Sequence, residues 1–173
     1  MRVYAQPDAP TQKLFLTPEE YRKSLLSLVK YCHDIIPVGP DGKFYLPCRR
    51  KDKNRPGPWF VGGAVKPFVG FDASLLQMVK REMGMELQRD RFVSVAQHQY
   101  LFGEGDGLAH DAMCEVLIIR LSEEEIASVH LDPDEYETGA LLAYGEEELS
   151  ELTDSLTRSA LLDVWKEKDS WPA

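Results

Sequence analysis

Hydrophobic positions in this chain recur at a period of three to four in some stretches and alternate in others, and the switches between the two patterns delimit the elements. Thr17-Pro18-Glu19-Glu20 is a capping box with proline at the first helical position. Tyr21, Leu25, Leu28, Val29 and Cys32 follow at helical spacing and predict an amphipathic helix over 18 to 31. His33 to Val38 is apolar enough for a strand, Gly39-Pro40-Asp41-Gly42 carries turn chemistry, and Lys43 to Cys48 alternates, which together predict a hairpin. Trp59 to Val65 reads as a short strand interrupted by Gly62 and Gly63, a pair that marks a bulge or a close backbone approach. Asp72 to Met83 reads as a helix, with Asp72 as N-cap, Leu75, Leu76, Val79 and Met83 on one stripe, and Gly84 as a left-handed stop. Phe92 to Phe102 and Met113 to Leu121 predict two strands joined through the glycine-rich Gly103-Glu104-Gly105-Asp106-Gly107. Ser122 to Glu125 opens a short helical turn, Glu135 to Leu142 reads as a strand, and Thr153 to Trp165 as a terminal helix with Leu156, Leu161, Leu162 and Trp165 inward.

That order predicts an α+β protein in which a mixed sheet, with an antiparallel hairpin, lies between helices. A single domain is expected over 14 to 173, behind a polar N-terminal arm over 1 to 13 that carries Pro7 and Pro10. A chain of 173 residues buries roughly two thirds of its unfolded surface without a staple, and 43% hydrophobic with 28% charged residues is too apolar for disorder. Cys32, Cys48 and Cys114 are odd in number and widely spaced, which indicates neither a disulfide framework nor a zinc site and fits a reducing cytoplasm. No apolar run approaches the roughly 18 residues that span a bilayer, and Met1 to Pro10 lacks an apolar signal core, so neither membrane insertion nor export is expected.

The net charge of −9 argues against broad binding to nucleic acid, which needs a basic surface. Positive charge is nevertheless concentrated in one place: Arg49, Arg50, Lys51, Lys53 and Arg55 crowd one loop. Such a loop is either solvated or a contact surface for a small anionic ligand.

The run Trp59-Phe60-Val61-Gly62-Gly63, a variable loop, and a helix ending Arg81-Glu82-Met83-Gly84-Met85 resembles the signature of the Nudix hydrolases. The resemblance implies a Nudix-type α/β/α sandwich. Counted from Gly63, the signature asks for glutamate at 69, Arg-Glu at 77 and 78, Glu-Glu at 81 and 82, and glycine at 84. This chain has Val69, Gln77, Met78, Arg81, Glu82 and Gly84, so spacing survives while most of the acids do not. A box that bridges several divalent ions to a diphosphate needs several hard carboxylate ligands, which disfavours a multi-metal hydrolase here. Over about 14 to 142 the chain is similar to the GDP-mannose mannosyl hydrolase branch of that family. The shared features are the opening Leu14-Phe15-Leu16-Thr17-Pro18-Glu19-Glu20-Tyr21, Arg55-Pro56 ahead of Trp59-Phe60-Val61, and the spacing from Gly63 to Glu82.

What the resemblance implies is a hydrolase of a nucleoside diphosphate linked to another group, a nucleotide-sugar such as GDP-mannose foremost, using one Mg²⁺ or Mn²⁺. In it, Glu82 is the carboxylate ligand and the Gly62 carbonyl a second ligand, while Arg49, with Arg50, Lys51 and Arg55 of the same loop, binds the leaving diphosphate. His98 matches a histidine of that branch, with a hydrogen-bonded structural role as the alternative. The branch has proline, arginine and arginine where this chain has Val61, Ala64 and Gln77. Its Gln-His pair falls near Asp132-Pro133, so Asp132, Asp134 or Glu135 would supply the ligand or base. His110-Asp111 offers a further base with an orienting carboxylate, and Glu146-Glu147-Glu148 reads as an exposed helix start. The resemblance leaves a homodimer open. The competing expectation is a binding or regulatory module that keeps the fold for a nucleotide or other anion and has lost hydrolysis.

Overall fold

The computed structural model describes residues 15–53, 55–103 and 109–171; the expected arm at 1 to 13 and the glycine-rich tip at 104–108 lie outside the described residues. Helix α1, Pro18–Ser27, starts where the capping box places it, with Thr17 and Glu20 exchanging side-chain to backbone hydrogen bonds. It ends earlier than its periodicity suggests. Strand β1 begins at Lys30, Leu28 and Val29 stay exposed, and only Leu25 of the helix is buried, because Cys32 belongs to the strand and not to the helical stripe.

Strand β1, Lys30–Val38, is the spine of the sheet. It is buried from Cys32 to Val38, as a strand covered on both faces must be. On one side it pairs in parallel with β7, His110–Arg120, over its whole length. On the other it pairs antiparallel with β2, Phe44–Leu46, at its C-terminal end and with β5, Val61–Ala64, at its N-terminal end. The sheet runs β6-β7-β1-β2-β8, with β6 at Phe92–Phe102 and β8 at Leu142–Tyr144. A separate ribbon joins β3, Cys48–Arg49, to β4, Gly57–Pro58.

Two helical layers cover this mixed sheet. On one face α2, Phe71–Met83, packs Leu75, Met78, Val79 and Met83 against Ile35, Val61, Leu117 and Ile119. On the other, α5, Ser155–Lys166, sets Leu161, Val164 and Trp165 on Ile36, Phe44, Leu46 and Ile118, with Leu149 of α4, Glu146–Ser150, beside them. Helix α3, Glu123–Ser128, follows β7 behind a second capping box at Ser122. The expected α/β/α sandwich with a mixed sheet and an antiparallel β6–β7 hairpin is the architecture found.

Three local expectations change. Asp72 does not cap α2; Gly70 is the N-cap, and the Asp72 carboxylate accepts from Arg89 Nε at 2.9 Å. The terminal helix starts at Ser155 behind an Asp154 cap, two positions later than expected. Glu135 to Leu142 forms no strand, because its one ladder contact is an isolated bridge between Tyr136 and Arg49, and the strand proper starts at Leu142. No helix among the described residues is long and apolar enough to cross a membrane.

Candidate functional site

The end of α2, the glycine pair of β5 and the basic loop meet at one cavity of about 570 Å³. Gly62 lies opposite Asp34 and Gly63 opposite His33 in the β1–β5 ladder. A Cβ on Gly62 would run into the His33 carbonyl oxygen and sit 2.6 Å from Asp34 Oδ1, so only glycine admits the Asp34 side chain beneath the strand. At Gly63 the nearest atom would be Arg81 Nη2, at 3.6 Å, an ordinary contact. The two glycines therefore do different work.

Gly84 ends α2 in the left-handed conformation, φ 71°, and leaves Glu82 in the last turn, only 8% exposed and lining the cavity. Both of its carboxylate oxygens are engaged. Oε1 accepts from Arg81 Nε at 2.8 Å and from Arg81 Nη2 at 2.6 Å, and Oε2 accepts from the Tyr136 hydroxyl at 2.9 Å. Burial, with the Glu82 charge second, raises the Tyr136 phenol above its usual range, so it stays a donor. Met78, one turn earlier, is 2% exposed and packed in the core.

The basic loop divides. Arg49 faces the cavity, 3.6 Å from Glu135 Oε2, and Lys53 bonds Glu135 Oε1 at 3.1 Å. The ribbon is latched there because Arg50 N donates to the Glu135 carbonyl and Glu137 N to that of Cys48. Arg55, at a left-handed φ of 59°, also lines the cavity, its guanidinium 3.5 Å from the centre of the Phe102 ring and 5.0 Å from that of Trp59. Arg50 and Lys51 instead line a shallower depression, where Arg50 bonds Asp52 at 3.0 Å and the Pro133 carbonyl at 3.2 Å.

Of the acids named from sequence, Asp132 and Glu135 line the cavity. Asp134 is exposed, and its backbone N–H donates to Asp132 Oδ1 at 2.9 Å. His98 is not brought there. It lies four residues before Phe102, about 13 Å along the strand, in a groove with Leu156, Ala160 and Asp163 of α5, and its Nδ1 meets the Tyr100 hydroxyl at 3.0 Å. His110 lines the cavity, while Asp111 accepts the Gln99 amide at 3.1 and 3.0 Å.

Sequence reading missed several residues that line the cavity, Tyr136, Asp34 and Arg81 among them. Asp34 is 4% exposed, its Oδ2 has no hydrogen-bond partner among the described residues, and burial pushes its carboxyl from 3.8 up to about 7, against the smaller opposing effects of the Cys114 thiol and Arg55. The available signal was a lone acid inside the apolar run that became β1. A buried carboxyl that titrates near neutrality, at the wall of a cavity, is the kind of group that hydrolytic sites use.

These residues do not fit a single divalent ion as they are arranged. An ion on Glu82 would share the carboxylate with the Arg81 guanidinium, which already donates twice to Oε1, and the two positive charges would repel each other. No group of three or more His, Cys, Asp or Glu side chains able to hold an ion occurs among the described residues.

No protein-family model matches the sequence. No curated protein matches it significantly. Solved structures do match. A MutT protein from Methanosarcina mazei Go1 aligns with TM-score 0.62 and 14% identity, over 82% of this chain and 94% of that one. A MutT NUDIX hydrolase from Burkholderia pseudomallei aligns with TM-score 0.60 and 18% identity, over 79% and 98%. An Ap4A hydrolase from C. elegans aligns with TM-score 0.51 and 12% identity, over 80% and 97%. At such identities the likeness is one of architecture, and the chain has the fold of the MutT and Nudix hydrolase structures.

Proposed function

We propose that the cavity binds a nucleoside diphosphate linked to a sugar or a similar group, a nucleotide-sugar such as GDP-mannose being the leading candidate, and that the chain is a hydrolase of such compounds. One observation carries this reading: a protein of net charge −9 turns Arg49, Arg55 and Arg81 into one cavity of about 570 Å³. Planar guanidinium groups match the oxygens of a diphosphate and stabilise it as it leaves. Water attacking the linked group would give its proton to a carboxylate, and Asp34, poised near neutrality, is better matched to that task than the ion-paired Glu135; Asp132 is the other candidate.

A second reading, a binding or regulatory module without hydrolysis, is favoured by the engagement of both Glu82 oxygens by Arg81 and Tyr136. Turnover through one Mg²⁺ or Mn²⁺ on Glu82 would require Arg81 to release it. Calorimetric titration of GDP-mannose, UDP-glucose and ADP-ribose, with and without Mg²⁺ and followed by product analysis, separates the two. Product formation supports the hydrolase, saturable binding without product supports the module, and no binding of any of them removes both. Arg49→Ala is expected to weaken binding about tenfold, the loss of one charge-assisted contact; an unchanged affinity would remove Arg49 from the site.

A further inference from the structure

We infer that Arg81 takes the place of a divalent cation at Glu82, so that the site is closed to metal and its own guanidinium supplies the positive charge. The second half of that statement, what the charge is for, rests on the cavity being a diphosphate pocket; the first half does not.

Neighbouring side chains on a helix point to different faces and do not ordinarily meet. Arg81 and Glu82 meet because Arg81 is drawn back over the last turn of α2, where Nε and Nη2 both donate to Glu82 Oε1 at 2.8 and 2.6 Å. The same Nη2 would stand 3.6 Å from a Cβ on Gly63, so the guanidinium spans the gap between the buried carboxylate and the glycine strand. Its partner is fixed: the Tyr136 hydroxyl holds the other oxygen of Glu82 from a segment 54 positions away. A guanidinium has five N–H donors, and two are used on Glu82, which leaves three for oxygens of a ligand. Arg81 is half-exposed and lines the same cavity as Arg49 and Arg55, so those donors can reach one. The helix supplies no second oxygen, since Met78 is buried in the core.

The test is a Mn²⁺ titration followed by electron paramagnetic resonance on the wild type, Glu82→Gln, Arg81→Gln and the double variant, each checked for folding by thermal melting. The wild type should bind Mn²⁺ no better than Glu82→Gln. Arg81→Gln should bind it at least tenfold more tightly, and the double variant should lose that gain. Glu82-dependent Mn²⁺ binding by the wild type overturns the inference, as does an Arg81→Gln variant that is folded and gains nothing. In a parallel calorimetric series, GDP-mannose should bind the wild type within twofold equally in EDTA and in Mg²⁺; a tenfold tightening by Mg²⁺ overturns the inference. Absence of GDP-mannose, UDP-glucose and ADP-ribose binding in both buffers overturns the function proposed for the cavity and leaves the Mn²⁺ result to decide the role of Arg81.

Discussion

Gly62→Ala is expected to destabilise the fold by about 3 kcal/mol or more, while Gly63→Ala, one position on, is expected to be nearly neutral. The methyl group at 62 would collide with the His33 carbonyl and with Asp34 Oδ1, 2.6 Å away, and would come 3.3 Å from Asp34 Cα. Two of those atoms are backbone of β1, which is held on its far side by the parallel ladder to β7 and cannot retreat. Overpacking against a well-ordered core costs about 1 to 3 kcal/mol, and a clash with fixed backbone lies at the upper end or beyond. At 63 the added methyl would meet the far end of the Arg81 side chain at 3.6 Å, which can adjust. For a domain of this size about 3 kcal/mol lowers the melting temperature by roughly 6 to 12 °C. Thermal melts followed by circular dichroism measure both variants; equal melting points would mean that the Asp34 side chain does not occupy the space beneath Gly62.

How far the sequence was legible depends on whether the signal was local. Both capping boxes, at Thr17 and Ser122, and the left-handed Gly84 lie where their residues put them, since a cap is satisfied within a few positions. Glu82 was legible for the same reason, by its spacing from Gly63. Its partners were not. Tyr136 reaches Glu82 across the fold, and the segment that carries it, read as a strand, has for its ladder a single bridge to Arg49 of β3. Arg81 was read as a missing acid and turns out to be the bonded neighbour of the acid that remains. Asp34 was hidden by its surroundings: an acid in an apolar strand has meaning only once the opposite strand is known to carry a glycine there. His98 had two readings, and the hydrogen-bonded structural one is found, because the length of β6 carries it to the α5 groove, where its Nδ1 meets the Tyr100 hydroxyl at 3.0 Å.

Asp34→Asn is expected to make the protein more stable and less active at once. The Asp34 carboxyl is raised from 3.8 to about 7, chiefly by burial. Between those values the folded state keeps a proton that the unfolded state has lost, so this group's contribution is fully present below about pH 4 and declines as pH rises through 7. Above pH 8 the ionised carboxylate costs about 4 kcal/mol, and an amide in its place, with its own burial penalty, should recover about 2 kcal/mol of that. The melting temperature at pH 8 should therefore rise by roughly 4 to 8 °C, with little change at pH 4. His33, next along β1 on the opposite face, acts with the other sign. It is fully buried against Phe71, and burial, then the Arg89 charge, lowers its imidazole from 6.5 to about 4, with Asp72 opposing. Its contribution is present above pH 6.5 and lost as pH falls through 4. In the wild type the two slopes offset each other between pH 4 and 6.5; in Asp34→Asn only the histidine remains, and stability should climb with pH across that window. If Asp34 is the proton acceptor of the hydrolysis, the same substitution lowers kcat by about 10² to 10⁴ fold while nucleotide affinity is retained. Chemical denaturation at pH 4, 5, 6.5 and 8 gives the stability profile, and an Asn variant no more stable than the wild type at pH 8 would show that the buried carboxyl carries no such penalty.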